Sequence, residues 1–268
     1  MILSVVFLSA QEIKVMTYNI KYDKVSDTVN NWNDRKEAMI DLIKNYEASF
    51  IGTQEVLHRQ LAYIDSSLTD FSYVGVGRDD GKQKGEYSPI LFDTTRYKVL
   101  KHKTFWLSET PEKISVGWDA ALERICTYGL FEETSTGKKL YVFNTHFDHR
   151  GHLAREKSAG LIVEKIKQIN TENLPIILMG DLNLSPEKEA ILHINKYLDD
   201  GQEISRKPFY GPTGTSHGFD HQRVLDTRID YIFTKGFEVE SYIHIDDRME
   251  NNQHISDHLP VLGTLTLD

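Results

Sequence analysis

The chain has 268 residues, 40% of them hydrophobic and 26% charged, which is the composition of an ordinary soluble globular protein. Its formal net charge of −9 argues against dense contact with the phosphates of duplex nucleic acid, because that binding requires a basic surface. The single cysteine, Cys126, excludes an intrachain disulfide and disfavours a zinc site built from thiolates.

The first ten residues, MILSVVFLSA, are apolar and end in small residues directly before Gln11. This pattern resembles the apolar region and cleavage site of a secretory signal peptide whose basic first part is missing. A long buried first strand is the alternative interpretation. We predict a signal peptide over residues 1–10, cleavage after Ala10, and a protein that is secreted or periplasmic. No other run in the sequence is apolar and long enough to cross a bilayer.

From Ile13 onward, segments with strand-like and helix-like spacing of apolar residues alternate without a linker, a repeat or a low-complexity stretch. This organisation predicts a single α/β domain over residues 11–268. A helix is expected after Asn33 or Asp34, either of which can cap it. The remaining elements are helices over about His58–Leu68 and Leu153–Ile169, and strands at Ile13–Ile20, Ala48–Thr53, Tyr73–Val76, Ser88–Phe92, Lys98–Trp106, Thr127–Glu132, Lys139–Asn144, Ile176–Met179, Ile229–Thr234, Glu238–His244 and Val261–Leu267.

The run from Ile176 to Met179 stops abruptly at Gly180, and the short polar side chains of Asp181 and Asn183 follow. Because they are two residues apart, these side chains can face the same way beyond a buried strand. Polar groups at such a place are costly to bury unless a ligand uses them. A plain turn is the alternative, because Gly-Asp and Ser-Pro sequences favour turns.

Polar side chains recur where the other predicted strands end. In layered α/β folds, ligands bind where strand ends converge, so we expect these residues to share one site. Carboxylate, amide and imidazole groups without thiolates suit Mg²⁺ or Mn²⁺ better than zinc. Such an ion beside two histidines suits phosphate esters, because it offsets charge on the phosphoryl oxygens and activates water. The strand-end residues are Asn19, Glu55, Asn144 to His146, Asp181, Asn183, Asp230, Asp257 and His258.

Six short motifs at these positions resemble, in order, the endonuclease/exonuclease/phosphatase superfamily of DNase I-like and exonuclease III-like enzymes. Together they cover the chain from about Ile13 to Leu267. The resemblance implies a four-layer α/β sandwich, in which two packed mixed β-sheets are flanked by helices and the active site lies at one rim. It also implies a metal-dependent hydrolase of phosphate esters. The motifs are TYNI with Asn19, TQEV with Glu55, NTHFDH with His146, MGDLN with Asp181 and Asn183, RIDYIF with Asp230, and SDHLPV with Asp257 and His258.

The resemblance also implies roles for individual residues. Glu55 is implied as the main metal ligand, assisted by Asn19 and Asp257. Taken alone, Glu55 is also consistent with an acidic residue placed before the start of a helix. Asp181 is implied to orient or deprotonate the attacking water, and Asn183 to hydrogen-bond the scissile phosphate.

Two histidines are implied to face the phosphate. His258 is implied as a cation or proton donor, with Asp230 behind it, since a carboxylate behind a histidine raises the pKa of the ring. A surface turn before the last strand is the alternative for the Asp257-His258 pair. His146 is implied as the second histidine, with Glu86 of the segment KGEYSPILF as its carboxylate partner.

Further candidates lie in segments that are similar to an exported bacterial branch of the superfamily. Arg124 is predicted to clamp phosphate, because its guanidinium donates two parallel hydrogen bonds. A solvated charge or an ion pair with a nearby acid is the alternative for Arg124. Asp148 follows His146 at strand spacing and is predicted to contact the site. A second metal between His149 and His152 is a less favoured interpretation.

The sequence therefore favours a Mg²⁺- or Mn²⁺-dependent phosphoesterase that hydrolyses phosphodiester or phosphomonoester bonds and is a monomer. A secreted nuclease acting on DNA or RNA is the first alternative, and a groove lined by Lys and Arg over several phosphate spacings would favour it. A non-catalytic binding protein with the same fold is the second alternative. Substrate selectivity is expected in the loop from Gly201 to Arg228, which is rich in Gly, Asp and His.

Overall fold

The computed structural model describes residues 12–24, 26–220 and 222–267. The predicted signal peptide over residues 1–10 lies outside these ranges. Within them, no helix is both long and apolar enough to span a membrane.

In chain order the elements are β1 (Ile13–Asn19), α1 (Trp32–Tyr46), β2 (Phe50–Gln54), α2 (His58–Ser67), β3 (Phe71–Val74), β4 (Ile90–Asp93), β5 (Tyr97–Trp106), β6 (Ile125–Glu133), β7 (Lys139–His146), α3 (His152–Ile169), β8 (Ile176–Asp181), α4 (Glu189–Asn195), β9 (Asp199–Asp200), β10 (Asp230–Lys235), β11 (Phe237–His244) and β12 (Val261–Leu267).

The strands form two mixed six-stranded sheets. The first has the order β11-β12-β1-β2-β4-β3, and β1 and β2 are its parallel pair. The second has the order β5-β6-β7-β8-β10-β9, and β7 and β8 are its parallel pair. The register places Asn19 beside Gln54 in the first pair and His146 beside Asp181 in the second. The carboxyl ends of each parallel pair, where the predicted site residues lie, are therefore neighbours.

Four layers result from the way in which these elements bury their apolar faces. Side chains of both sheets meet in one buried cluster between the sheets, to which Phe50 contributes from β2 and Ile177 from β8. Helices α1 and α2 cover the outer face of the first sheet, with Met39 among the buried contacts. Helices α3 and α4 cover the outer face of the second sheet, with Ile162 among the contacts. The predicted four-layer α/β sandwich is confirmed.

The start of α1 differs from the prediction. Asn31 caps the helix, with an extended backbone at φ −67° and ψ 156°, and its Oδ1 accepts the backbone N–H of Asp34 at 3.3 Å. Asn33 and Asp34, the predicted caps, already lie within the helix. Two short elements, α4 and β9, were not predicted, because segments of seven and two residues are too short to show a hydrophobic period.

Strand β8 continues two residues beyond its predicted end and includes Gly180 and Asp181. Strand β10 pairs with it to that point and places Asp230 opposite Asp181. Gly180 has φ +150°, and a Cβ there would lie 2.0 Å from the carbonyl oxygen of Thr145 in β7. Only glycine therefore allows the two strands to approach, and Asp181 is a buried strand residue rather than part of a turn.

Candidate active site

The carboxyl ends of the parallel strand pairs open onto one cleft of about 440 Å³. Most of the polar strand-end residues that were predicted to share a site are brought together here from both sheets. Asn144 and Thr145 are not among them, because their side chains donate instead to the buried carbonyl oxygens of Thr53 and Ile125. Six of the side chains that line the cleft decide its chemistry: Lys21, Glu55, Arg124, His146, Asp181 and His258.

His258 is supported from behind by Asp230, the first residue of β10. Nδ1 of the ring lies 2.9 Å from Oδ2 of Asp230, and Nε2 lies 3.9 Å from Oδ2 of Asp181. Burial by itself lowers the pKa of His258, but the charges of Asp230 and Asp181 outweigh it and raise the pKa to about 10. The ring is therefore protonated at neutral pH and offers a cationic donor to the cleft.

Asp181 is buried at the centre of the site. Its Oδ1 accepts the backbone N–H of Asn183 at 2.9 Å, and its Oδ2 accepts Nδ2 of Asn19 at 3.0 Å. Burial and then the charge of Asp230 raise the pKa of Asp181 to about 7, against the opposing effect of His258. A carboxylate with a pKa near neutrality is suited to act as a general base.

His146 lies on the other side of Asp181. Its Nε2 is 3.5 Å from Oδ2 of Asp181 and 3.1 Å from Nδ2 of Asn183, which also donates to the carbonyl oxygen of Phe147 at 3.1 Å. Burial and the positive charge of Arg124 lower the pKa of His146 well below its usual value. His146 is therefore a neutral hydrogen-bonding group, and in this arrangement the side chain of Asn183 orients that ring.

The predicted pairing of Glu86 with His146 is wrong. Both carboxylate oxygens of Glu86 accept hydrogen bonds from Arg78, at 2.9 and 3.0 Å. A guanidinium supplies two parallel charge-assisted hydrogen bonds, which are stronger than the single bond of an imidazole. Glu86 still lines the cleft, where burial, opposed by Arg78, raises its pKa. Arg78 was missed because no motif marks it.

Arg124 forms the ion pair that was left as an alternative, and it also faces the cleft. Its Nε donates to Oδ2 of Asp148 at 3.2 Å, and its Nη2 lies 2.9 Å from Nδ1 of His149. Its buried Nη1 has no hydrogen-bond partner in the described part of the chain. Asp148, which is 1% exposed, therefore contacts the cleft only through Arg124.

Glu55 and Asp257 meet at the positive charge of Lys21. Oε2 of Glu55 and Oδ2 of Asp257 lie 3.5 and 3.3 Å from Nζ of Lys21. Asn19 lies behind them, and its Nδ2 donates to Oε1 of Glu55 at 3.2 Å while its Oδ1 accepts the backbone N–H of Lys21 at 3.1 Å. Asn19 thus orients Glu55 here, rather than presenting a free oxygen as a ligand. Lys21 was missed because the recognised motif ends one residue before it.

In the described part of the chain, a different group of atoms has the spacing of a metal site. One ligand atom each of Asp181, Asp230 and His258 lies within 4.8 Å of the others. We favour the position between Glu55 and Asp257, because the His258 ring is protonated and already bonded to Asp230. A protonated imidazole has no lone pair to offer a metal.

Three of the eight non-glycine residues with positive φ in the described part of the chain lie at this site. Lys21, Glu55 and Asn183 have φ values of 59°, 59° and 50°, in the left-handed region that residues with a Cβ avoid. Each such residue costs on the order of 1–3 kcal/mol, and such residues are concentrated where a site requires them. The chain therefore accepts strain to direct these three side chains.

Two peripheral features of the sequence have different outcomes. His149 faces Arg124. Nδ1 of His152 instead lies 3.6 Å from Glu156 on the exposed surface of α3. The structure therefore does not support a metal between the two histidines. The loop from Gly201 to Arg228 does reach the site, because the backbone N–H of His217 donates to the carbonyl oxygen of Asp257 at 3.0 Å.

Comparisons with known proteins identify the family and the fold. A model of the Endonuclease/Exonuclease/phosphatase family matches residues 16–258. The crystal structure of an endonuclease/exonuclease/phosphatase from Bacteroides vulgatus is 36% identical, covers 96% of this chain and 100% of that chain, and has a TM-score of 0.91. A mannosyl-6-phosphatase from Bacteroides thetaiotaomicron VPI-5482 is 35% identical over 95% of this chain and 100% of that chain, with a TM-score of 0.91. Among curated proteins, Uncharacterized protein L388 of Acanthamoeba polyphaga mimivirus is 28% identical over 93% of this chain and 98% of its own length.

Proposed function

The chain belongs to the endonuclease/exonuclease/phosphatase family, whose members are phosphoesterase hydrolases, and from this premise we propose that it hydrolyses phosphomonoesters of small polar molecules with a bound Mg²⁺ or Mn²⁺ ion. Hydrolysis of diesters, including nucleic acids, is the alternative. The observation that carries the proposal is the distribution of charge around the cleft.

Three positive groups line the cleft, namely Lys21, Arg124 and the protonated His258. The carboxylates of Glu55, Glu86 and Asp181 on the same walls offset them. A divalent cation added to this set leaves a net positive cleft. Such a cleft attracts the dianionic phosphate of a monoester more strongly than the single charge of a diester.

Glu55 and Asp257 are the residues that would hold the ion, because their oxygens already share one cationic group, the ammonium of Lys21. Oxygen donors without thiolates fit Mg²⁺ or Mn²⁺. When bound, such an ion offsets charge on the phosphoryl oxygens and lowers the pKa of coordinated water. Asn19 would keep Glu55 oriented through the hydrogen bond from its Nδ2.

The other residues supply proton transfer and phosphate binding. Asp181 would take a proton from the attacking water, since its carboxylate is held by Asn183 and Asn19 and its pKa lies at about 7. His258 would stabilise the negative charge that develops on the phosphate, because its ring is a cation. The guanidinium of Arg124, which lines the cleft, would donate to a phosphate oxygen.

The size of the cleft and one relative support a small substrate. A volume of about 440 Å³ lies in the range of small-molecule sites. The similar mannosyl-6-phosphatase from Bacteroides thetaiotaomicron supports a sugar as the alcohol part of the ester. The net charge of −9 disfavours a long nucleic-acid substrate.

A substrate panel tests the proposal. Metal-free protein would be reloaded with Mg²⁺ or Mn²⁺ and given hexose 6-phosphates, glycerol phosphate, bis(4-nitrophenyl) phosphate, DNA and RNA. We expect kcat/KM for the best monoester to exceed that for any diester by about tenfold or more. Asp181→Asn should remove the activity, and Asp199→Asn, the same change at an exposed position, should not.

Other results of the panel would select the alternatives. Faster cleavage of nucleic acid or of the simple diester would replace the phosphatase proposal with a nuclease or diesterase. A lack of metal-dependent hydrolysis across the whole panel would favour a non-catalytic binding protein.

We also propose that the protein acts outside the cytoplasm, on the basis of the apolar segment MILSVVFLSA. Protein purified from its native host should then begin at or near Gln11 in N-terminal sequencing. Retention of Met1 would place it in the cytoplasm instead.

A further inference from the structure

The ammonium of Lys21 lies at the centre of the acidic wall of the cleft. Its Nζ is 3.5 Å from Oε2 of Glu55 and 3.3 Å from Oδ2 of Asp257. The three side chains are largely shielded, with 24%, 15% and 11% of their surfaces exposed. Shielded charges are screened by salt much less than exposed ones, so this contact differs from an ordinary surface salt bridge.

The backbone of Lys21 is held in an unusual conformation beside these carboxylates. Its φ of 59° is unfavourable for a residue with a Cβ. Three hydrogen bonds maintain it: the N–H donates to Oδ1 of Asn19 at 3.1 Å, and the carbonyl oxygen accepts from Nε2 of Gln60 at 3.0 Å and Nη2 of Arg35 at 3.4 Å. Gln60 and Arg35 are themselves buried. The fold therefore sustains strain in order to place one ammonium between two carboxylates.

We propose that Lys21 is a built-in counter-cation that competes with the divalent metal ion for Glu55 and Asp257. The inference rests on the proposed function, because it takes these two residues as the ligands of the ion. Without an ion, the ammonium offsets the repulsion between the carboxylates and stabilises the site. When an ion binds, the ammonium has to move away, because the ion and the ammonium would both contact the same two carboxylates and would repel each other.

Tyr22 lines the same cleft and already contacts the Lys21 ammonium, so its ring can retain the charge when the ammonium shifts away from the carboxylates. Nζ of Lys21 lies 5.0 Å from the centre of the Tyr22 ring, whose face attracts a cation. The backbone N–H of Tyr22 donates to Oε2 of Glu55 at 3.3 Å, which ties the ring to the same carboxylate. Lys21 thus stabilises the site when no ion is bound. It also lowers the affinity of the site for the ion, so a higher ion concentration is needed to fill it.

Calorimetric titration of Mn²⁺ into the metal-free protein tests the competition without any substrate. Lys21→Met should bind Mn²⁺ about tenfold tighter than the parent or more, because the competing charge is gone. Lys21→Arg keeps a cation there and should remain close to the parent. Lys24→Met removes the same charge from a nearby exposed position and should bind like the parent.

Thermal unfolding provides an independent readout. Without an ion, Lys21→Met should unfold at a lower temperature than the parent, because Glu55 and Asp257 then repel each other. Saturating Mn²⁺ should reduce or reverse that difference. In the calorimetric titration, Lys21→Gly separates charge from strain, because it removes both whereas Lys21→Met removes only the charge. Equally tight Mn²⁺ binding by Lys21→Met and Lys21→Gly would identify the ammonium as the cause.

The unfavourable outcomes are distinct. Equal or weaker Mn²⁺ binding by Lys21→Met would overturn the competition and leave the metal site in place. Tighter binding by Lys24→Met as well would assign the effect to overall charge and would also overturn it. A lack of Mn²⁺ binding by both the parent and Lys21→Met would overturn the metal-dependent function itself.

Discussion

Nδ2 of Asn19 donates a hydrogen bond of 3.0 Å to Oδ2 of Asp181, and this bond joins the ends of two strands in different sheets. The same NH₂ group donates to Oε1 of Glu55 at 3.2 Å. The buried amide of Asn19 therefore fixes Glu55, a proposed metal ligand, relative to Asp181, the proposed base. The amide is itself fixed, since its oxygen accepts the backbone N–H of Lys21 at 3.1 Å.

Asn19→Ala should therefore damage both halves of the site. We expect kcat to fall by about 10²-fold or more, because Glu55 and Asp181 lose a shared donor and their relative position. The free energy of unfolding should fall by about 1–3 kcal/mol, the cost of leaving buried groups unpaired. Steady-state kinetics and denaturant unfolding measure the two effects. The exposed change Asn33→Ala is the control, and a parent-like kcat for Asn19→Ala would contradict the positioning role.

Glu55→Gln should weaken binding of Mg²⁺ or Mn²⁺ and remove nearly all activity while the fold remains intact. The reason is the loss of one anionic oxygen from the proposed ion position. Glu47→Gln is a matched control, because Glu47 is exposed and also has a left-handed backbone, with φ 54°. Calorimetry that finds equal metal affinity in Glu55→Gln and the parent would remove Glu55 from the ligand set.

The sequence was sufficient to locate the site but not the bonds within it. Asp181 and Asp230 could be predicted because polar residues after apolar runs mark strand ends, and strand ends converge in a layered fold. The contact between Asn19 and Asp181 spans 162 positions, so it depends on how the two sheets pack and not on any local pattern. Glu86 was assigned the wrong partner for another reason, because Arg78 is nearby in the chain but lies in a segment without a motif.

Lys21 escaped prediction for a different reason. A lysine after a strand is ordinarily a solvated charge, and nothing local reveals that its φ is 59°. That conformation depends on hydrogen bonds from Gln60 and Arg35, which come from two helices elsewhere in the chain. Strained residues at a site are thus a tertiary property, and sequence periodicity does not record them.

The two histidines of the cleft should carry different charges at neutral pH. Burial opposes protonation of His258, but Asp230 and Asp181 raise its pKa to about 10. Burial and the charge of Arg124 instead lower the pKa of His146 well below its usual value. Nitrogen-15 NMR of the metal-free protein should show imidazolium shifts for His258 and neutral shifts for His146. Variants that lack one ring assign the signals, and a protonated His146 would contradict the arrangement.

Asp230 should affect catalysis mainly through His258. His258→Ala should lower kcat by on the order of 10² or more, the scale of losing a group that transfers or holds a proton. Asp230→Asn should cost less alone and should add little to His258→Ala, because residues that act as a unit are not additive. If the double variant instead shows the product of the two single losses, His258 acts independently of the carboxylate behind it.

The same pair predicts the alkaline side of the pH profile of kcat. The active form of His258 is protonated and its pKa is raised to about 10, so activity should fall as the pH rises through about 10. Asp230→Asn removes the anion that raises the pKa of His258, but the burial that lowers this pKa remains. The alkaline limb should therefore move to lower pH. Asp226→Asn, an exposed change in the preceding loop, should leave the limb in place. Profiles recorded at saturating metal and substrate decide the matter, because an unmoved limb in Asp230→Asn would mean that another group sets it.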